Sequence, residues 1–294
     1  METKKATKTT FSGTPFDDVR HFLNEDKQFI FCKHWKPKDP PKGLVLIVHG
    51  YAEHCARYDP VAEMFNALGL YAFSHDHVGH GESEGTHVAI NDYNILIRDL
   101  LHHVNLMKVE YPGLPLYLFA HSMGAGLSIL FAHQNPGLFK CVALSAPLIE
   151  SCQKTSSVQL MAMRYLSSWF PNLGVGVIDP NTISRDKEQV ENYKTDPLIY
   201  HGKVLLCTAY QMHRMMEDIK KVLPEISYPF LLIHGTSDGL CEFSASEEMH
   251  VKAKSSDKTF KIYQEGYHEL IHEINDVPEQ FLADVKEWFE KRLL

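Results

Sequence analysis

The stretch Phe119-Ala120-His121-Ser122-Met123-Gly124-Ala125-Gly126 decides how this chain is read. It begins inside the apolar run 116–119 and opens a run of small and apolar residues that continues to Gln134. A strand that turns tightly into a helix lifts the side chain at the apex above the sheet edge, provided its neighbours are small. Ser122 stands at that apex, with Ala120 where the usual G-x-S-x-G pattern has its first glycine. The helix behind it offers unpaired N–H groups and the positive end of its dipole, both suited to a developing oxyanion.

Outward from this point, short apolar runs at 28–35, 44–49, 70–75, 116–121, 141–145, 229–234 and 259–264 read as strands. Several are apolar throughout, as buried parallel strands are. Helical patterns at 60–68, 91–110, 123–134 and 279–294 alternate with them. The alternation predicts an α/β fold, a mostly parallel central sheet flanked by helices. The rhythm fails over 148–223, where helical patterns occur without a convincing strand. That segment is expected to be a helical cap inserted within one domain spanning 1–294. In it Val158, Met161, Ala162, Tyr165 and Trp169 follow helical spacing, while Leu160, Met163, Leu166 and Phe170 make the opposite side apolar too. Such a helix is buried or has a second apolar surface to satisfy. Most of these side chains are expected in the cap core; the alternative is a helix partly facing lipid.

A serine hydroxyl becomes a nucleophile only when a base takes its proton, and an acid must hold that base in one tautomer. The α/β-hydrolase fold presents them in the order Ser, Asp or Glu, His, on loops after successive strands. Asp238 follows the strand at 229–234, within His234-Gly235-Thr236-Ser237-Asp238. His268 follows the last strand, within Gly266-Tyr267-His268-Glu269. The chain holds 18 histidines, so position rather than residue type singles out His268; Asp257 is a weaker rival for the acid. The oxyanion is expected to accept from the backbone N–H of Met123 and from that of Tyr51, in the turn His49-Gly50-Tyr51-Ala52-Glu53-His54 after the strand at 44–49.

Composition excludes other classes. The 294 residues carry 29 Lys and Arg against 37 Asp and Glu, a net charge of −8, unsuited to binding a phosphate backbone, so no nucleic-acid partner is expected. The polar N-terminus lacks an apolar core, and no apolar run approaches the roughly 18 residues of a membrane span. Six scattered cysteines without a CxxC pair read as reduced thiols of a cytoplasmic protein. His75-Asp76-His77-Val78-Gly79-His80 has Gly79 where a metallo-hydrolase pattern needs Asp, so neither a metal nor any other cofactor is expected. Asp76 is expected instead to satisfy backbone N–H groups of a buried loop. Cys241, three residues after Asp238, is either an inert buried thiol or a point where alkylation partly disturbs the acid loop.

His49-Gly50-Tyr51-Ala52-Glu53-His54 with Arg57-Tyr58, the run from Asp76 to Gly85, Ala120-His121-Ser122-Met123-Gly124 and Asp196-Pro197-Leu198-Ile199 together resemble the monoacylglycerol lipase family over almost the whole chain. The resemblance implies an α/β-hydrolase with a helical lid that splits monoacylglycerol into fatty acid and glycerol. It puts nucleophile, acid and base on Ser122, Asp238 and His268, and glycerol recognition on Glu53, Arg57, His121 and Tyr193. Glu53 and Arg57 could equally pair to stiffen the turn. Because such a lipid partitions into membranes, reversible peripheral contact through the cap is expected. The other readings are a lysophospholipase or related carboxylesterase, and a non-catalytic lipid-binding member of the fold.

Overall fold

The computed structural model describes residues 8–293. Its strands and helices follow one another as β1 (His21–Leu23), β2 (Phe29–Trp35), β3 (Gly43–Val48), α1 (Asp59–Ala67), β4 (Leu70–His75), α2 (Tyr93–Glu110), β5 (Leu116–His121), α3 (Ser122–Gln134) and β6 (Val142–Ser145). An excursion follows: α4 (Ser157–Trp169), β7 (Gly174–Gly176), α5 (Lys187–Thr195), β8 (Val204–Leu205) and α6 (Leu206–Val222). The chain returns as β9 (Phe230–Gly235), α7 (Phe243–Lys252), β10 (Lys258–Tyr263) and α8 (Val277–Glu290).

The main sheet has the order β1-β2-β4-β3-β5-β6-β9-β10. From β4 to β10 every neighbouring pair is parallel, while β1/β2 and β2/β4 are antiparallel. β3 is apolar throughout because both of its faces are covered. Its Leu44, Leu46 and Val48 pack with α2, α3 and α7, whereas Val45 and Ile47 pack with α1 and α8 around Phe65, Phe281 and Phe289. The chain passes from β3 to β4 on one side and reaches β5 on the other, so the sheet reverses its winding between β3 and β5. In doubly wound sheets such a switch point opens a crevice beyond the carboxyl ends of the strands.

The two loops facing that crevice approach very closely. A Cβ on Gly124 would lie 2.2 Å from the His49 carbonyl oxygen, and one on Gly50 would lie 3.1 Å from Ser122 Cβ. Ser122 itself has φ +54° and Ala52 has φ +65°, both left-handed. The turn at Ser122 is thus held in a strained conformation by packing on both sides, as functional turns often are.

Three sequence readings are corrected. The segment 148–223 does contain strands, since β7 and β8 pair antiparallel; at three and two residues they are too short to show a period-2 pattern. β1 and α7 were absent from the reading, β1 because three residues carry no measurable alternation. The side chains of α4 are not a cap core: the helix has no buried residue, and Val158, Met161, Tyr165, Trp169 and Phe170 are exposed. Its inner side, with Ala162, Met163 and Leu166, lines a cavity instead.

Gly124→Ala is expected to lower stability by about 1–3 kcal/mol, the usual cost of overpacking. It also pushes α3 off β3, so thermal unfolding and covalent labelling of Ser122 by a fluorophosphonate should both fall.

Candidate active site

Asp238 is the most heavily bonded carboxylate in the crevice. It sits in the loop after β9, where Oδ1 accepts the N–H groups of Leu240 at 2.8 Å and Cys241 at 3.0 Å. Its Oδ2 accepts from His268 Nδ1 at 2.7 Å and from His234 Nε2 at 3.0 Å. Burial disfavours its ionised form, yet the His268 charge and the hydrogen bonds from His234 and His268 hold it well below the usual carboxylate range. Burial likewise opposes charge on His268, but the Asp238 charge and hydrogen bond outweigh it and raise the imidazole above its ordinary value. The bond through Nδ1 leaves Nε2 as the free face of the ring, the tautomer a general base requires.

Sequence reasoning missed His234. It is fully buried at the end of β9, its Nδ1 accepting from Ser246 Oγ at 2.8 Å while Nε2–H donates to Asp238. The available signal was its spacing, four residues before the acid at the mouth of the same strand.

Ser122 and His268 line one cavity of about 540 Å³, together with Gly50, Tyr51, Met123, His121, Tyr193, Glu53 and Glu269. Met123 is the second residue of α3, so its N–H is among the unpaired donors of the helix start. The His121 ring lies 4.7 Å from that of His268; burial and then the His268 charge push it down to about 4, so it is neutral at physiological pH. Toward the segment 148–223 the lining mixes apolar side chains, Leu148, Leu173, Val175, Leu206, Met212 and Met216, with the polar Gln153, Lys154, Gln159 and His213.

The remaining sequence candidates fall in two groups. Glu53 is buried; Oε1 accepts the Gly50 N–H at 2.5 Å and the Tyr58 hydroxyl at 2.7 Å, so it braces the turn that carries Tyr51. Arg57 does not line the cavity. It donates to Glu53 at 2.8 Å and to both oxygens of Glu269 at 2.7 Å, beneath the ring of Tyr193 at 5.2 Å. Cys241 is buried, and burial pushes its thiol well above the usual range into the unreactive protonated form.

Metal donors come together in two places among the described residues. One is Asp238, Cys241 and His268, within the site just described. The other is Cys32, His34 and His103, whose ring nitrogens are committed to a hydrogen-bonded chain: His75 Nδ1 to His103 Nδ1 at 3.0 Å, His103 Nε2 to His34 Nε2 at 3.2 Å, His34 Nδ1 to the Tyr71 hydroxyl at 3.1 Å. Asp76 accepts the N–H groups of Cys55 and Glu82, each at 2.8 Å, as a structural anchor of its loop.

Comparison with known proteins follows this geometry. The family model described as serine aminopeptidase, S33 matches residues 39–275. The monoglyceride lipase of Rattus norvegicus is 37% identical over 294 residues, covering 100% of this chain and 97% of that protein. The monoacylglycerol lipase of Mycolicibacterium smegmatis is 33% identical, covering 88% of this chain and 92% of its own. The crystal structure of Paleococcus ferrophilus monoacylglycerol lipase superposes with a TM-score of 0.81 at 26% identity, covering 90% of this chain and 99% of that one.

The pH dependence follows from the shifts at the Asp238–His268 pair. A His268 that acts as general base must be neutral in the free enzyme, and its folded value lies above the ordinary 6.5. The acid limb of kcat/KM is therefore expected at a midpoint above 6.5, with activity lost as pH falls through it. Asp238→Asn should cut kcat by roughly 10⁴-fold and move that midpoint down; a pH–rate profile of both proteins checks the pair.

Proposed function

This chain belongs to the monoglyceride lipases, and we propose that it hydrolyses monoacylglycerols to fatty acid and glycerol through an acyl-enzyme on Ser122. The observation that carries this reading is the 2.7 Å bond between His268 and Asp238 in a cavity that also holds Ser122 and carries several apolar side chains of 148–223. In the first half-reaction His268 takes the Ser122 proton as the oxygen attacks the ester carbonyl. The N–H groups of Tyr51 and Met123 receive the oxyanion, and glycerol leaves with the proton held by His268. Water then attacks the acyl-enzyme with the same base and releases the fatty acid. Within each half-reaction the proton rests on His268 only between its abstraction and its transfer, first to glycerol and then back to Ser122, and ionised Asp238 stabilises that transient imidazolium.

The single chain of the substrate matches the shape of the site. One acyl chain fits along Leu148, Leu206 and Met212 under α4 and α6, while Tyr193 and His121 face the alcohol end. On this reading 148–223 acts as a lid over the sheet. α4 supports a role at the membrane surface, because Val158, Met161, Tyr165 and Trp169 are exposed and Arg164 is its one charged residue. An exposed apolar helix bearing Trp and Tyr suits the headgroup boundary of a bilayer. No helix among the described residues is long and apolar enough to cross a membrane. A cytoplasmic protein that docks reversibly on lipid accounts for both features, and its six free cysteines suit a reducing compartment.

Ser122→Ala is expected to lower kcat on 1-monooleoylglycerol by roughly 10⁴- to 10⁶-fold while leaving the fold intact. A variant retaining most of the activity would place the nucleophile elsewhere. Val158→Glu with Trp169→Glu should reduce co-sedimentation with phosphatidylcholine vesicles several-fold. Turnover of a water-soluble p-nitrophenyl ester should change little, because neither residue lines the cavity.

A further inference from the structure

Arg57 supplies the guanidinium nearest the alcohol end of the cavity, and none of it is available to a substrate. Nη1 is held by Glu53 at 2.8 Å and by Glu269 at 2.7 Å, and Nη2 by the other Glu269 oxygen at 2.7 Å with His272 Nδ1 at 3.4 Å. The two carboxylates line the cavity whereas the guanidinium between them does not. The two glutamates and the arginine alone sum to one unit of negative charge, beside His272, whose Nδ1 lies 3.0 Å from Glu269 Oε2. The cation that does line the cavity is Lys154, on the exposed loop entering α4, paired with Glu150 and Glu242 at 3.0 Å each.

Resting on the monoacylglycerol reading, we propose that Glu269 sets leaving-group specificity by making the alcohol end net acidic. The oxygens of Glu53 and Glu269 accept hydroxyl donors, which glycerol supplies. A phosphate head offers mostly acceptors and brings a further charge of about −1.5 to −2. Single-chain esters with uncharged polyol heads are taken, and lysolipids with anionic heads are refused. The discrimination owed to one unit charge several ångströms away is of order ten- to a hundredfold at an effective dielectric of about 20.

The same charge bears on His268. The groups facing that imidazole are Asp238, Glu269 and Glu53, the neutral His121 and the buried Cys241, with Arg57, His272 and His234 behind them. Glu269 adds to Asp238 in favouring the imidazolium, so its loss lowers the pH of the acid limb.

The test compares kcat/KM for 1-oleoylglycerol and 1-oleoylglycerol 3-phosphate in neutral detergent micelles, in the parent, Glu269→Gln and Glu269→Gln/Arg57→Gln. Fluorophosphonate labelling of Ser122 normalises each to active sites. The parent should favour the uncharged head. Glu269→Gln should narrow that preference ten- to a hundredfold and shift the acid limb on p-nitrophenyl butyrate to lower pH. The double variant, again carrying one net negative charge through Glu53, should restore the preference, which loss of packing alone would not. An unchanged ratio in Glu269→Gln, or no restoration in the double variant, overturns the proposal. Should the variants fail to fold, competitive inhibition of the parent decides: dodecyl glyceryl ether must bind more tightly than dodecyl phosphate, and the reverse order overturns it. A labelled parent inactive on 1-oleoylglycerol instead sinks the substrate reading, and the pH shift on p-nitrophenyl butyrate still decides the charge at Glu269.

Discussion

One carboxylate organises the working end of this molecule. Asp238 receives two backbone N–H groups from its own loop and two imidazoles, His268 and His234, from either side. A buried charge is tolerable only when hydrogen-bonded and compensated, and four donors meet that condition. Because the donors come from β9, from the loop after it and from the loop after β10, the ionised acid also ties those segments together. His268 is oriented by the same bonds. Its basicity and its direction thus have a common cause, and neither would persist if the loop reorganised.

The second constraint is steric. The crevice at the switch point is so narrow that Gly124 lies against the His49 carbonyl and Gly50 lies against Ser122. Side chains at either position would separate the oxyanion turn from the elbow. Ala52 keeps its methyl at φ +65°, a conformation glycine adopts more readily, and is buried there. Glu53 bonds the Gly50 N–H, which helps to hold this turn in place. The residue that resembles a substrate contact in sequence is therefore also a strut of the catalytic turn.

The two ends of the cavity divide the recognition of a lipid. Below, the polar end is built around Glu53 and Glu269, both bonded to Arg57, with the neutral ring of His121 beside them. Above, the segment between β6 and β9 offers apolar surface on both sides of α4, one lining the cavity and one exposed. An isolated monomer gains nothing from the outer surface, whose burial against lipid would contribute roughly 25 cal/mol per Å². The helix is capped locally by a box at Ser156 and Gln159 and packs against α6.

The elbow, the alternation of strands and helices and the order of Ser122, Asp238 and His268 were legible in the sequence, because they rest on local rules: turn sterics, periodicity and chain order. The loop after His75 could also be read, with Asp76 accepting backbone N–H groups there. What only the tertiary structure decided was which partners long-range folding brings together. His234 reaches Asp238, and Glu269 neutralises Arg57 across 212 residues of chain. The outward face of α4 is exposed because no other element among the described residues covers it; periodicity identifies an apolar side but not its neighbour. β7 and β8 are stabilised by pairing with each other, and a strand of two or three residues carries no pattern of its own. Local sequence sets which side chains a segment presents; the contacts that satisfy them depend on distances that only the closed chain defines.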